Sequence, residues 1–195
     1  MERQAEVMIP TKWGNFTMIA YADDVSDKMP HLAMVHENFT TGKPVYLRIH
    51  SECLTGDIWG SRRCDCGEQL DKSMEIAARE GGVVIYLRQE GRGIGIINKI
   101  KAYQLQDTGL NTIDANIHLG FEADERSYGI AVAILEDLDI HQIRLMTNNP
   151  DKIDALTEQG IEVLERVPLI IQPQEGNANY LRTKQDQMGH LLDLK

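Results

Sequence analysis

No stretch of this 195-residue sequence is hydrophobic for long enough to cross a lipid bilayer, which takes roughly 18 or more apolar residues. The first six residues are mostly polar and lead into no apolar segment of the signal-peptide kind. Positive charge is also scarce, because 20 Lys and Arg residues face 30 Asp and Glu residues and the formal net charge is −10. These absences predict a cytoplasmic protein that neither enters membranes nor coats nucleic acid.

Aromatic residues make up only 6% of the sequence, but hydrophobic residues reach 42% and are spread along the whole chain. That content is ordinary for a globular protein and argues against general disorder. No internal repeat, low-complexity segment or linker rich in Pro, Gly or Ser divides the chain. We therefore predict a single domain over residues 1–195.

Cysteine is rare, and its three occurrences, Cys53, Cys64 and Cys66, fall in one short segment. An odd number of cysteines without a secretory signal argues against a disulfide framework. Three thiolates suit zinc, and three protein ligands with an open fourth position are typical of a catalytic zinc site. The residues alone also allow three reduced, partly buried thiols. His50 could offer a fourth ligand, but a lone His three residues before a Cys is more often a hydrogen-bonding or substrate-contacting residue.

Hydrophobic periodicity predicts both strands and helices along the chain. The predicted strands cover residues 7–9, 16–21, 32–36, 45–50, 83–87, 143–146 and 162–169. The predicted helices cover residues 69–80, 96–106, 127–138, 152–159 and 183–192, and Asp124 is a candidate N-cap for the third of them. The expected fold is α+β, with a mixed, mostly antiparallel, β-rich N-terminal half and helices packed on the sheet.

Residues 87–95 form a glycine-rich segment in which Arg88 and Arg92 offer forked donors suited to phosphate. The segment lacks the Gly-Lys-Ser/Thr of a Walker A loop and the glycine spacing of the dinucleotide fingerprint. From the residues alone, a phosphate cradle and an ordinary tight turn remain open. Asp124 and Arg126 lie two residues apart before a helix, where capping and a surface arginine are the simpler interpretation.

Together these segments resemble the GTP cyclohydrolase II family, whose members open riboflavin biosynthesis. The motifs stand in the family's order from Arg48 onward: RIHSECLTGD, RCDCG, YLRQEGRGIG, NKIKAYQLQD, FEADER, TNNPDK and RVPL. Trp59, where a small residue is usual, and the basic pair Arg62 and Arg63 depart from the family pattern at positions that we do not expect to be catalytic. The resemblance implies the family's fold, and the length predicts the monofunctional form, without the fused dihydroxybutanone phosphate synthase.

The resemblance also implies a reaction and a set of site residues. In that family GTP loses diphosphate, C8 leaves as formate, and the product is 2,5-diamino-6-ribosylamino-4(3H)-pyrimidinone 5′-phosphate. Cys53, Cys64 and Cys66 would hold one zinc ion, which activates the water that attacks C8. Glu90 is the candidate acceptor for the guanine donors. The GTP pocket would be lined by Arg48, Ile49, His50, Ser51, Glu52, Gln69, Glu90, Gly91, Arg92, Thr112, Thr147 and Lys152.

Three residues would carry the remaining chemistry, again by resemblance. Tyr103 would assist ring opening, the alternative being a core aromatic on a helix face. Asp124 would be the proton acceptor and Arg126 the nucleophile at the α-phosphate. Because a guanidinium is normally protonated, charge stabilisation of the leaving diphosphate is the alternative role for Arg126. Mg²⁺ would accompany the triphosphate, and the family's homodimers lead us to expect a homodimer.

Two other functions stay open on the sequence. His50-Ser-Glu52 matches the H-x-E half of a zinc deaminase signature, although the P-C-x-x-C half is missing. A non-catalytic nucleotide sensor would need a fourth protein ligand to close a structural zinc site. The acidic net charge excludes neither nucleotide function, because Arg48, Arg88, Arg92, Arg126 and Lys152 are expected to gather around one triphosphate.

Overall fold

A computed structural model describes residues 1–174 and 176–192, and its seven strands form one mixed sheet. The strands are β1 (Glu2–Thr11), β2 (Gly14–Ala22), β3 (His31–His36), β4 (Val45–Ser51), β5 (Val83–Leu87), β6 (Gln142–Met146) and β7 (Glu162–Val167). Their order in the sheet is β1-β2-β3-β5-β4-β6-β7. Strands β1, β2, β3 and β5 pair antiparallel, whereas β5, β4, β6 and β7 pair parallel. This single-domain α+β architecture confirms the predicted fold class.

The helices begin and end where local chemistry favours it. They are α1 (Leu54–Asp57), α2 (Cys66–Glu80), α3 (Gly95–Asp107), α4 (Thr112–His118), α5 (Gly129–Asp137), α6 (Pro150–Glu158) and α7 (Ala178–Met188). Helix α2 ends at Gly81, whose φ of 68° is the left-handed conformation that favours glycine. Helix α6 starts with Pro150 after Asn149, whose side chain accepts the amide of Asp151.

The sheet is covered by helices on both faces, because neighbouring residues of a strand point to opposite sides. One face packs against the apolar helix α5, and Ile85 and Leu135 belong to that larger core cluster. The other face packs against α2 through Val84, Phe16 and Met74. No helix within the described ranges is both long and apolar enough to cross a membrane.

Several boundary predictions are wrong. The helix predicted over residues 127–138 starts at Gly129 with Tyr128 as its N-cap, so Asp124 does not cap it. The Asp124 carboxylate instead accepts the backbone amide of Arg126 in a tight turn. The helix predicted over residues 183–192 runs from Ala178 to Met188 and ends at Gly189, which has a φ of 63°. The short helices α1 and α4 were not predicted, since neither is long enough to show a helical repeat.

The chain direction of the central strands places the functional loops together. Strands β5, β4 and β6 are parallel neighbours, so their carboxyl ends meet at one edge of the sheet. The segment before α1 follows β4, the glycine-rich turn Glu90–Gly93 follows β5, and the loop before α6 follows β6. This edge is where open α/β sheets usually bind ligands.

Candidate active site

The three loops at this edge surround a cavity with about 1000 Å³ of empty space, part of it open to solvent. Helices α2, α3, α4 and α7 complete the wall. Residues far apart in sequence, such as Cys53, Thr147 and His190, therefore face one space.

The three cysteines converge at the wall of this cavity. Their sulfur atoms all lie within 4.8 Å of one another, and the Cys53 and Cys64 Sγ atoms are 3.7 Å apart. Two sulfurs bound tetrahedrally to one zinc ion at about 2.3 Å would be separated by about 3.8 Å. The thiols therefore have the spacing of a zinc site. Among the described residues, these three form the only group of His, Cys, Asp and Glu side chains close enough to hold a metal.

Gly56 has no side chain, and this leaves room for the three sulfur atoms. A Cβ atom at Gly56 would lie 2.9 Å from Cys64 Sγ and 3.2 Å from Cys53 Sγ. A Cβ at Gly67 would lie 2.4 Å from the Gly56 carbonyl oxygen, so the two segments touch through backbone. The local sequence thus keeps this corner free of side chains other than the thiols.

A buried lysine connects the thiols to the glycine-rich turn. Lys99 Nζ donates to Cys53 Sγ at 3.1 Å and to Glu90 Oε1 at 2.7 Å, and the residue is only 8% exposed. Glu90 also accepts the backbone amides of Leu54 and Gly91. Burial opposes the charge on Lys99, but Cys53 and Glu90 outweigh it and raise the pKa of the ammonium group. Lys99 therefore places a positive charge beside the thiol cluster.

The close contacts among the sulfur atoms shift the pKa values of the three thiols in opposite directions. Hydrogen bonds from Cys64 and Cys66 lower the pKa of Cys53, and the charge of Lys99 lowers it further. The same contacts raise the pKa of Cys64 to about 11 and that of Cys66 well above its usual value. Cys53, beside Lys99, is therefore the most acidic of the three thiols.

His50 belongs to a buried polar network next to the cysteines. Its Nε2 lies 3.0 Å from Asp57 Oδ1, and its Nδ1 lies 3.5 Å from Arg48 Nη2. Asp57 Oδ2 also accepts from the Tyr86 hydroxyl at 2.8 Å and from the Cys53 amide at 3.0 Å. Burial lowers the pKa of His50 despite Asp57, so the ring is neutral at pH 7. With both ring nitrogens in use, His50 is not the fourth metal ligand that the sequence allowed.

Buried cations line another part of the cavity. Arg48 donates to the Met146 carbonyl and to Gln69 Oε1, and its Nε is buried without a hydrogen-bond partner. Lys152 donates to the Ile49 carbonyl at 2.8 Å, and no carboxylate in the described part of the chain forms an ion pair with it. Burial first, and then Arg48 and Arg126, lower the pKa of Lys152 well below its usual value. Such a cluster of cations is suited to a polyanion.

Arg126 is held by Asp124 in a bidentate pair. The Asp124 carboxylate accepts from Arg126 Nε at 2.8 Å and also from Nη2. Burial lowers the pKa of Arg126, but the Asp124 contact more than offsets this and raises it above its usual value. Arg126 lines the cavity, whereas Asp124 is not one of its lining residues. Asp124 therefore orients a guanidinium that stays protonated.

Tyr103 faces the cavity from α3, one helical turn after Lys99. Its hydroxyl lies 3.5 Å from Thr55 Oγ1, which in turn lies 3.6 Å from Cys53 Sγ. Burial raises the pKa of Tyr103, so the phenol is neutral at pH 7 and can donate a proton. The side chain is thus close to the thiol cluster and not in the hydrophobic core.

The structure brings most of the predicted site residues to one wall. The side chain of Ile49 is fully buried in the core, and only its carbonyl takes part, by accepting Lys152. Arg88, expected near the triphosphate, does not line the cavity and instead pairs with Glu52 at 2.8 Å. The predicted residues that line it are Arg48, His50, Ser51, Glu52, Cys53, Cys64, Cys66, Gln69, Glu90, Gly91, Arg92, Tyr103, Thr112, Arg126, Thr147 and Lys152.

The glycine-rich turn is part of this wall and has a strained backbone. Gly91 and Arg92 have φ angles of 64° and 65°, which are unusual for a side-chain-bearing residue such as Arg92. A Cβ at Gly91 would lie 3.1 Å from Lys99 Cβ. The turn is therefore wound tightly against α3, which directs Glu90 inward. Strain of this kind concentrates at functional sites.

Other wall residues were missed in the sequence. Lys99 precedes Tyr103 by four residues, so their common helical face was a usable signal. Tyr180, Lys184 and His190 also line the cavity, although they come from the C-terminal part of the chain. No local sequence pattern predicts that these three residues line the cavity, because their position depends on how the C-terminal part of the chain folds back onto it.

Comparison with known proteins gives concordant matches. The family model described as GTP cyclohydrolase II matches residues 2–168. The riboflavin biosynthesis protein RibBA of Bacillus cereus is 51% identical over 193 residues, covering 98% of this chain and 48% of the relative. RibBA of Chlorobium phaeovibrioides is 50% identical over the same length and is covered to 47%. The chain thus spans about half the length of the curated relatives it matches.

A solved structure, RibBX, a two domain 3,4-dihydroxy-2-butanone 4-phosphate synthase from A. baumannii, is also similar. It shares 20% sequence identity and gives a TM-score of 0.49, covering 85% of this chain and 39% of that chain.

Proposed function

The chain belongs to the GTP cyclohydrolase II family, and we propose that it hydrolyses GTP in riboflavin biosynthesis. The products are formate, diphosphate and 2,5-diamino-6-ribosylamino-4(3H)-pyrimidinone 5′-phosphate. One observation carries the proposal: three metal-spaced thiols and a set of buried cations face the same cavity. Ring opening needs a metal ion, which the thiols would hold, and binding a triphosphate needs the cations.

Zinc fits the thiol cluster on spacing, chemistry and charge. Cys53, Cys64 and Cys66 would hold the ion, and Lys99 offsets the excess negative charge of three thiolates. When bound, zinc supplies a Lewis acid that activates water near neutral pH. Because the described residues add no fourth ligand to the cluster, a coordination position stays available.

Tyr103 is the proposed proton donor for ring opening. Its neutral hydroxyl reaches Thr55, and Thr55 reaches Cys53, so the phenol stands next to the metal site. In this position it can protonate a nitrogen of the opening imidazole ring. Replacing Tyr103 by Phe is expected to impair formate release more than diphosphate release.

Arg126 is the proposed stabiliser of the leaving diphosphate. The Asp124 pair keeps its guanidinium charged, and a charged guanidinium is a poor nucleophile but a good partner for phosphate oxygens. The family's assignment of Arg126 as nucleophile predicts a covalent phosphoramidate, which mass spectrometry of enzyme quenched with denaturant at neutral or alkaline pH would detect, because the P–N bond does not survive acid. Turnover that survives in Arg126→Lys would favour the stabilising role.

Glu90 remains the proposed guanine acceptor, with a restriction. Its carboxylate already accepts three donors, from Lys99, Leu54 and Gly91. A carboxylate has about four acceptor positions. Guanine would therefore share Glu90 with its present partners, and these partners fix the direction of the carboxylate. Mg²⁺ with the triphosphate, a homodimer and a cytoplasmic location are further parts of the proposal.

The geometry gives less support to the two alternatives. A zinc deaminase would need a metal-binding His50, but Asp57 and Arg48 occupy both of its ring nitrogens. A sensor with structural zinc would need a fourth ligand, which the described residues do not bring to the thiols. Release of ammonia in place of formate, or tight GTP binding without turnover, would restore these alternatives.

The decisive experiment is to incubate the reduced, zinc- and Mg²⁺-loaded protein with GTP and to assay formate and diphosphate. Both should form in wild type, and formate should be lost in Cys64→Ser. Met29→Ser, on an exposed loop outside the cavity wall, is the control and should keep both products. Diphosphate release that persists in Cys64→Ser would show two separable half-reactions. Absence of formate in wild type would refute the proposed function.

A further inference from the structure

The C-terminal segment, residues 177–192, folds back onto the cavity although the family match ends at residue 168. Helix α7 contributes Tyr180 and Lys184 to the wall, and the turn after it contributes His190. The residues that the resemblance assigns to GTP binding include none of these three side chains. The segment therefore adds wall residues whose role has to be derived from their surroundings.

Apolar packing and backbone hydrogen bonds hold the segment in place. Leu181 and Leu192 are almost fully buried at its two ends. The Leu191 amide donates to the Asn148 carbonyl at 2.9 Å, in the loop that follows β6, and the His190 amide donates to the Lys184 carbonyl at 3.0 Å. These contacts fix His190 next to the loop that carries Thr147.

His190 has the features of a side chain that lacks its ligand. Its Nε2 atom is buried and makes no hydrogen bond within the described residues, a condition that it shares with Arg48 Nε and Asn177 Nδ2. A buried polar atom without a partner is costly, so such atoms call for an explanation. Both His190 and Arg48 line the cavity, so a ligand there could satisfy both atoms.

The charges around His190 indicate the sign of that ligand. Burial, followed by the charges of Lys184, Arg126, Arg92 and Lys152, lowers the pKa of His190 to about 3. Four basic side chains thus act on one neutral imidazole. Lys184 is paired with Asp65 at 2.9 Å and Arg126 with Asp124, whereas Lys152 donates to a backbone carbonyl. A multiply charged anion would relieve this mutual repulsion.

We propose that the C-terminal segment forms part of the polyphosphate site, with His190 Nε2 donating to a phosphate oxygen of the bound nucleotide and Lys184 adding a positive charge nearby. This inference rests on the proposed function for the identity of the nucleotide. It does not rest on it for the anion site, which inorganic tripolyphosphate can occupy without any reaction. Charge-assisted hydrogen bonds are among the stronger polar contacts, so His190 should affect affinity measurably.

The test compares His190→Ala with wild type by titration calorimetry, using inorganic tripolyphosphate, guanosine and a GTP analogue with a methylene bridge between the α and β phosphorus atoms. We expect about tenfold to a hundredfold weaker binding of the two polyphosphates, and a change of less than about twofold for guanosine. His190→Gln retains a donor and should recover part of the loss. His141→Ala, whose side chain is 67% exposed, is the matched control.

Two outcomes would overturn the inference. One is unchanged affinity of His190→Ala for both polyphosphates; the other is an equal loss for guanosine and polyphosphate, which would indicate a structural role. Unfolding midpoints of His190→Ala and His190→Gln identify a variant that is simply unfolded, and the glutamine variant then carries the test. Formate production by wild type tests the proposed function separately, so the two failures can be told apart.

Discussion

Replacing Lys99 by Met tests whether one buried charge supports both the thiol cluster and the glycine-rich turn. Methionine keeps most of the aliphatic length but removes the ammonium group, whose Nζ contacts Cys53 Sγ at 3.1 Å and Glu90 Oε1 at 2.7 Å. The change leaves Glu90 buried at 8% exposure without its cation. Zinc with three thiolates has a net charge of about −1, which Lys99 otherwise offsets.

The magnitude follows from these contacts. Removing one partner of a buried ion pair costs about 3–5 kcal/mol, because the other charge stays buried. Glu90 keeps two backbone amide donors, so we expect the lower end, a loss of about 3 kcal/mol in the free energy of unfolding. A protein with the usual 5–15 kcal/mol would remain folded. Loss of a hydrogen bond to a metal-binding thiolate also weakens metal affinity by about tenfold to a hundredfold.

Two assays measure these effects. Urea unfolding gives the stability change, and competition with a chromophoric chelator gives the zinc dissociation constant of the reduced protein. Lys101→Met, at an exposed position of the same helix, is the matched control. Adding Glu90→Gln to Lys99→Met removes the stranded charge and should recover about 2 kcal/mol. Wild-type stability together with wild-type zinc affinity in Lys99→Met would refute the reasoning.

Three further predictions concern the metal corner, acid stability and the core. Gly56→Ala puts a Cβ 2.9 Å from Cys64 Sγ and should abolish stoichiometric zinc binding by elemental analysis, whereas Gly129→Ala, with its nearest contact at 3.5 Å, should not. Burial raises the pKa of Asp137, but hydrogen bonds from Tyr21 and Arg3 outweigh it and lower the pKa. This contribution is present above the unfolded pKa and is lost as the pH falls through the lowered folded pKa, so Asp137→Asn should destabilise more at pH 7 than at pH 3 in urea unfolding; an equal loss at both pH values would contradict this. Leu135→Ala, fully buried under the sheet, should cost about 2–5 kcal/mol of unfolding free energy and leave zinc stoichiometry at the wild-type value.

Local sequence was sufficient for the regular elements with a strong repeat. The strand over residues 83–87 and the end of α2 before Gly81 were predicted correctly, because a continuous apolar run and a C-terminal glycine are both local features of the sequence. Boundaries failed where the decisive contact is distant. Polar residues at the start of β1 gave no strand signal, yet they pair with β2 along its full length. The predicted C-terminal helix begins and ends too late in the sequence. Leu192 was counted as part of a helical repeat, but its side chain is buried by packing beyond the end of the helix.

The sequence by itself determined the chemical inventory of this protein: a thiol triad, a glycine-rich turn, a set of cations, and motifs specific enough to indicate the family. Only the tertiary structure decided which of these groups meet. It brings Lys99 to Cys53 across 46 positions and Lys184 to Asp65 across 119, it turns Arg88 away from the cavity, and it leaves His190 Nε2 without a partner inside it. The physical reason is that residue type is a local property, whereas electrostatic and hydrogen-bond partnership depends on the packing of distant segments around parallel strands.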